Sequence, residues 1–184
     1  MEEIIERAKK GDNQAFTVLI TNIQCELYKI AKLRLKSDDD INEAVQETII
    51  KAYSSIKKLK NNQYFKTWII KILINECNSI YQKNKKNQFE EYDENINIYE
   101  NIDNINQKIS ELDFFILIEN LKYEEKIAIT LYYLEGLSTK EISKILKQPE
   151  ATIKTRISRS KEKIKRTLKW REEEWINLIM KWKQ

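Results

Sequence analysis

The chain has 184 residues, 34% of them charged and 41% hydrophobic, with 33 Lys and Arg against 29 Asp and Glu for a net charge of +4. Two glycines and one proline are too few for the turns of a strand-rich protein, so an all-α protein is expected, long enough for one or two domains with their own cores. Histidine is absent, which removes the commonest general base and metal ligand; no apolar run approaches the roughly 18 residues of a membrane span, and the opening M-E-E-I-I-E-R lacks a signal-peptide layout. A cytoplasmic protein is expected; the usual signatures of catalytic, cofactor and metal sites are absent, though this does not by itself exclude an enzyme.

Glu2 to Lys9 reads as a short helix with Ile4, Ile5 and Ala8 inward; Gly11 breaks it, and Asp12 or Asn13 caps the next. That second helix carries Phe16, Leu19, Ile20, Ile23, Leu27, Ile30 and Ala31 at core spacing. Ser37 to Asp40 reads as a loop with a strong N-cap. From Ile41 to about Lys57 a third helix turns Ile41, Ala44, Val45, Thr48, Ala52 and Ile56 inward. Glu43, Gln46, Glu47 and Ile50 lie on its opposite side. An isoleucine among acidic groups there is either one of the scattered exposed apolar residues found on any surface or the centre of a docking face.

Lys57 to Lys66 is a basic loop ending in Tyr64 and Phe65. The helix from Thr67 to about Lys83 offers Trp68, Ile69, Ile72, Leu73, Cys77 and Ile80 to a core, with Asn75 among them. Basic groups interleaved with Tyr64, Phe65, Trp68 and Tyr81 suit single-stranded nucleic acid, whose bases stack on rings while its backbone follows positive charge; the same rings also suit a core. Cys25 and Cys77, in separate helical patterns, are expected to be buried thiols. Asn87 to Gln107 holds six acidic residues and no basic one and lacks a helical period, as expected of an interdomain linker. Leu112, Phe115, Ile116, Ile118 and Leu121 resume a helical pattern, and Lys122 to Glu135 continues it.

The most informative stretch is Ser138 to Lys169. Gly136 can end the preceding helix in the left-handed region. Ser138 and Glu141 form a capping box for a helix through Ile142, Ile145 and Leu146. Lys147 and Gln148 make the turn, and Pro149 opens a second helix that runs to Lys169. At about 100° per residue, Ile153, Ile157, Ile164 and Leu168 fall in one narrow sector of that helix. Thr152, Thr155, Arg156, Arg159 and Lys163 fall in another. The first is for burial; the second carries groups suited to phosphates and base edges. Between Thr139 and Lys169 eleven Lys and Arg face three Glu, a local net of +8. Cap, turn and basic outer face together make a helix-turn-helix. Beyond it, Trp170 to Gln184 reads as a helical tail with Trp175, Leu178, Ile179 and Trp182 on one face.

Two separate signatures resemble the extracytoplasmic-function (ECF) group of the sigma-70 family of bacterial RNA polymerase sigma subunits. D-D-I-N-E-A-V-Q-E-T-I-I-K-A-Y (39–53) followed by Y-F-K-T-W-I-I-K-I-L-I-N-E (64–76) is similar to family region two. Y-Y-L-E-G-L-S-T-K-E-I-S-K-I-L (132–146) and T-I-K-T-R-I-S-R-S-K-E-K-I (152–164) are similar to region four. The resemblance implies two helical domains: region two over residues 1–86, then a linker over 87–109, region four over 110–170 and an additional tail over 171–184. It implies an alternative sigma factor, of the kind used in stress responses, that binds core RNA polymerase through the β′ clamp helices and the β flap and directs promoter-specific initiation. Glu43, Gln46, Glu47 and Ile50 then map to the clamp-helix contact. Asn61, Asn62, Tyr64, Phe65, Lys66, Trp68 and Asn75 map to minus-ten recognition, where a base is flipped from the stack. Thr152, Thr155, Arg156, Arg159 and Lys163 map to the minus-thirty-five duplex. An anti-sigma factor, commonly membrane-bound, is implied as a partner. Ala151 stands where the family often has Gly, and the tail extends beyond the family's usual end.

Two other classes remain open at this point. A helix-turn-helix regulator would bind duplex operators as a dimer without polymerase, and its amino-terminal half would hold a ligand pocket or dimer interface. A DNA-processing enzyme would need clustered carboxylates for metal or an activated nucleophile.

Overall fold

The amino terminus winds into α1 (Glu2–Lys9), which buries Ile5 and Ala8. Gly11 turns the chain out at φ +96°, a conformation that costs glycine little, and Asp12 caps α2 (Asn13–Lys32) by accepting from the Ala15 amide at 3.0 Å. The computed structural model describes residues 1–87 and 114–168. Within these, every regular element is helical. The chain divides into two compact units, residues 1–91 and 92–184.

In the first unit α1 packs on α2, α2 on α3 (Asp38–Ser55), and α3 on α4 (Phe65–Asn87). The expected core of α2 is buried at all seven positions, and the inward stripe of α3 is buried from Ile41 to Ile56. The Ser37–Asp40 stretch is not a loop. Ser37 is the N-cap position, and Asp38, Asp39 and Asp40 form the first turn of α3, where carboxylates face the positive end of the helix dipole.

The α4 helix is longer than its periodicity suggests. It begins at Phe65, two residues before Thr67, and runs to Asn87. Its last turns are tied to the start of α3 by Asn84, whose amide donates to Asp40 Oδ2 at 2.7 Å. The core face of α4 is also broader than the Thr67–Lys83 pattern implies. Ile70 and Ile74 are fully enclosed beside Ile69 and Leu73, whereas Ile72 is only half-buried, because α2 and α3 both pack on this helix. Cys77 is enclosed as expected, and burial pushes its thiol up to about 12. Cys25 is exposed instead of buried.

In the second unit, described residues 114–118 are helical, as part of α5, followed by α6 (Tyr123–Tyr133), α7 (Thr139–Leu146) and α8 (Glu150–Leu168). Phe114 and Phe115 meet edge to face at 5.7 Å inside the core; Ile116, part of the same helical pattern, is 45% exposed. The α6 helix packs along α8, and α7 packs on both. The expected linker over 87–109 lies, beyond Asn87, outside the described residues, as do Leu112 and the whole tail over 171–184.

Candidate nucleic-acid and docking interfaces

The α7–α8 pair is built by local chemistry. Gly136 lies at φ +68°. Ser138 Oγ accepts from the Glu141 amide at 3.3 Å while Glu141 Oε2 accepts from the Ser138 amide at 3.0 Å, so two amides that the helix leaves unpaired are satisfied at once. Lys147 ends α7 in the left-handed region at φ 54°, and Ser143 Oγ closes the turn by donating to the Gln148 carbonyl at 2.6 Å. Thr139 donates to Glu150 Oε1 at 2.7 Å, joining the first turns of α7 and α8. That bond, followed by one from Lys154, holds the Glu150 carboxyl below its usual range. The α8 helix starts at Glu150, one residue after Pro149.

The two sectors of α8 separate cleanly. Ile153, Ile157 and Ile164 are buried, and Ser160, absent from the expected core list, is enclosed beside them with its hydroxyl returned to the Arg156 carbonyl at 2.8 Å. Thr155, Arg159 and Lys163 are exposed, and Thr152 and Arg156 are half-buried. Thr155 donates to the Ala151 carbonyl at 2.9 Å. Among the described residues, Arg156 and Arg159 have no carboxylate partner. Lys163 does: its ammonium lies 2.7 and 2.8 Å from the two oxygens of Glu125 on α6. Lys122, Glu125, Arg159, Glu162, Lys163 and Arg166 together line a cleft of about 480 Å³ between α6 and α8. Lys122, Glu125, Glu162 and Arg166 were not singled out from sequence; the carboxylates broke no pattern there, and Arg166 was just one of many cations.

In the first unit the expected docking residues do share a surface. Glu43 and Gln46 are exposed, Glu47 is half-buried, and Ile50 is 60% exposed. Tyr53, one turn beyond Ile50, extends this face. It is 52% exposed, its hydroxyl donates to Asn13 Oδ1 at 2.8 Å, and its ring meets Phe16 edge to face at 5.1 Å. The i, i+3 spacing from Ile50 was the available signal for Tyr53.

The basic-aromatic stretch is more mixed. Tyr64 is 49% exposed. Trp68 and Asn75, two turns apart on α4, form a half-buried strip with Ile72 between them, and Lys66 is half-buried as well. Asn61 is exposed and caps its own turn by accepting from the Gln63 amide at 2.9 Å. Asn62 is committed elsewhere: its amide donates to Glu6 Oε1 at 2.7 Å and its oxygen accepts from Lys9 at 3.2 Å, both on α1. Phe65 corrects the sequence expectation most sharply. It is 5% exposed, with its ring centroid 6.0 Å from that of Trp68, so its aromatic face is used in the core and is not offered to a base.

Comparison with known proteins covers both units. The family model described as "Sigma-70 region 2" matches residues 19–87, and "Sigma-70, region 4" matches residues 117–164. A protein of Haemophilus influenzae named ECF RNA polymerase sigma-E factor is 33% identical over 177 residues, covering 89% of this chain and 92% of its own. Its Escherichia coli K12 namesake is 30% identical over 176 residues, 88% and 90% of the two chains. Among solved structures, CnrH in complex with the cytosolic domain of CnrY has a TM-score of 0.64 at 18% identity, covering 91% of this chain and 96% of CnrH. The sigma factor RpoE of Bartonella quintana, solved with the anti-sigma factor NepR, has a TM-score of 0.64 at 23% identity, covering 84% and 96%. These two structures share the fold.

Proposed function

Because the chain belongs to the sigma-70 family, as an ECF RNA polymerase sigma factor, we propose that its two units divide polymerase docking and promoter reading between them. The protein binds core RNA polymerase and directs promoter-specific transcription initiation. Residues 1–86 act as region two. Glu43, Gln46, Glu47 and Ile50, with Tyr53 beside them, meet the β′ clamp helices as an apolar centre within a polar rim. Tyr64, Lys66, Trp68, Asn75 and the turn at Asn61 handle the minus-ten element. There an unstacked base costs a few kcal/mol to extrude and recovers about 1–3 kcal/mol by stacking on a ring. Phe65 and Asn62 serve this site indirectly, one as the ring beneath Trp68 and the other as the tie to α1.

Residues 110–170 act as region four and approach the β flap. The minus-thirty-five duplex is read by Thr152, Thr155, Arg156 and Arg159. This rests on one observation above all: the outer sector of α8 presents two arginines that, among the described residues, have no carboxylate partner, apart from the sector that builds the core. A guanidinium can address guanine O6 and N7 together, which an arginine already bound to a carboxylate would not do freely.

The protein is non-catalytic and acts in the cytoplasm; no described helix is long and apolar enough to cross a membrane. By analogy with the relatives solved in complexes, an anti-sigma factor is its regulatory partner. Transcription from a promoter library with purified core polymerase, with and without the full chain, tests the reading. Promoter-selective transcripts that require the chain are the expected result. Binding to duplex operators as a dimer, with no effect on core polymerase, would instead mark a helix-turn-helix regulator.

A further inference from the structure

The outer sector of α8 contains one residue whose charge is already answered. Helical spacing places Thr152, Thr155, Arg156, Arg159, Lys163 and Arg166 within a sector roughly 100° wide, with Lys163 between Thr152 and Arg156. Its side chain is 49% exposed, while its partner Glu125 is 13% exposed. The carboxylate is thus held from within the domain and the ammonium is reachable from outside. Glu125 is fixed by more than this pair. It occupies the third position of α6 and accepts the Lys122 amide at 3.2 Å, so its carboxylate cannot swing away without giving up that amide. Both oxygens lie within 2.8 Å of Lys163.

We propose that Glu125 stands in for a DNA phosphate, occupying Lys163 so that the reading face carries one fewer phosphate contact than its lysines and arginines suggest. This rests on the assignment of α8 to the minus-thirty-five duplex. Phosphate contacts strengthen binding to every sequence alike, whereas base contacts discriminate. Occupying a lysine of this sector with an internal carboxylate therefore lowers affinity for every duplex alike and leaves Arg156 and Arg159 to choose the site. The ratio of promoter to arbitrary-sequence affinity is set by those base contacts and stays as it was, while retention on all duplex is reduced. Glu125 is in this sense a positioning residue: it touches Lys163, not DNA. The pair's contribution to folding is small, as for other solvent-accessible ion pairs, so its main consequence lies in binding.

The test uses holoenzyme assembled from core polymerase and the full chain, with promoter binding measured between 50 and 200 mM salt. Glu125→Gln keeps a side-chain oxygen that can accept the Lys122 amide but removes the charge that pairs with Lys163. It should tighten binding at low salt and steepen the log–log salt slope by about 0.9, so that affinity falls about 3.5-fold more across that range than for the wild type. It should leave the ratio of promoter to arbitrary-sequence affinity unchanged. Adding Lys163→Met to Glu125→Gln should return the slope to the wild-type value. An unchanged slope for Glu125→Gln overturns the proposal, and so does a steeper slope that persists without Lys163, since removal of any negative charge would then suffice. Arg159→Ala separates this failure from that of the underlying assignment: if it alters neither promoter affinity nor base preference, α8 is not the reader and both readings fall together.

Discussion

In the carboxy-terminal unit the candidate DNA contacts and the core occupy different sectors of one helix, while in the amino-terminal unit they share residues. Ile153, Ile157 and Ile164 are buried on α8, and Thr155 and Arg159 are exposed on the same turns. On α4 the half-buried Trp68, Ile72 and Asn75 run alongside the enclosed Ile69, Ile70 and Leu73, and Phe65 lies wholly on the core side. A duplex can be read by side chains that project from a finished domain, because the groove accepts a whole helix. A single unstacked base needs a partly enclosed surface, so the walls that would receive it are also walls of the core.

That difference is open to direct attack, beginning where the effect is largest. Phe65→Ala should destabilise the first unit by about 3–5 kcal/mol, as loss of a buried ring does, seen in denaturant melts. Polymerase binding and promoter opening should then fall together. Preserved stability with a selective loss of opening would break the comparison by making Phe65 a base contact. On the other unit, Arg159→Ala should leave the melt within about 0.5 kcal/mol of wild type while relaxing preference at one or two minus-thirty-five positions by ~1–3 kcal/mol. Binding across promoter variants checks this, and a uniform loss at unchanged preference would make Arg159 a phosphate clamp. Ile50→Glu should weaken core-polymerase affinity by about 1–2 kcal/mol, the range of a contributing interface residue, with the melt unaltered because the side chain is already 60% exposed. Normal polymerase affinity would remove Ile50 from the docking face. Ser138→Ala should cost the second unit about 1 kcal/mol through loss of the cap, lowering promoter affinity only as far as α7 frays. Hydrogen exchange in the first turn of α7 is the sensitive measure, and unchanged protection there would show that α8 packing alone holds the turn.

The all-α class, the break at Gly136, the Ser138–Glu141 cap, the turn at Lys147 and the two faces of α8 were all legible in the sequence. Each depends on residues within one or two turns of each other, where backbone geometry fixes which side chains meet. The exposure of Glu43, Gln46 and Ile50 on one side of α3 was legible for the same reason, and so was the family likeness carried by the two signature stretches. Tertiary structure decided what lay between distant segments. Periodicity gives the angle between two strips of a helix but not which strip a neighbour covers, so Ile70 and Ile74, not Ile72, fill the core once α2 and α3 close on α4. Asn62 is held by Glu6, 56 residues away, and Lys163 by Glu125, 38 residues away. In one-dimensional order these are ordinary surface residues. Only packing brings each donor to its acceptor, and that proximity turns one candidate DNA contact into an internal tie and leaves another already occupied.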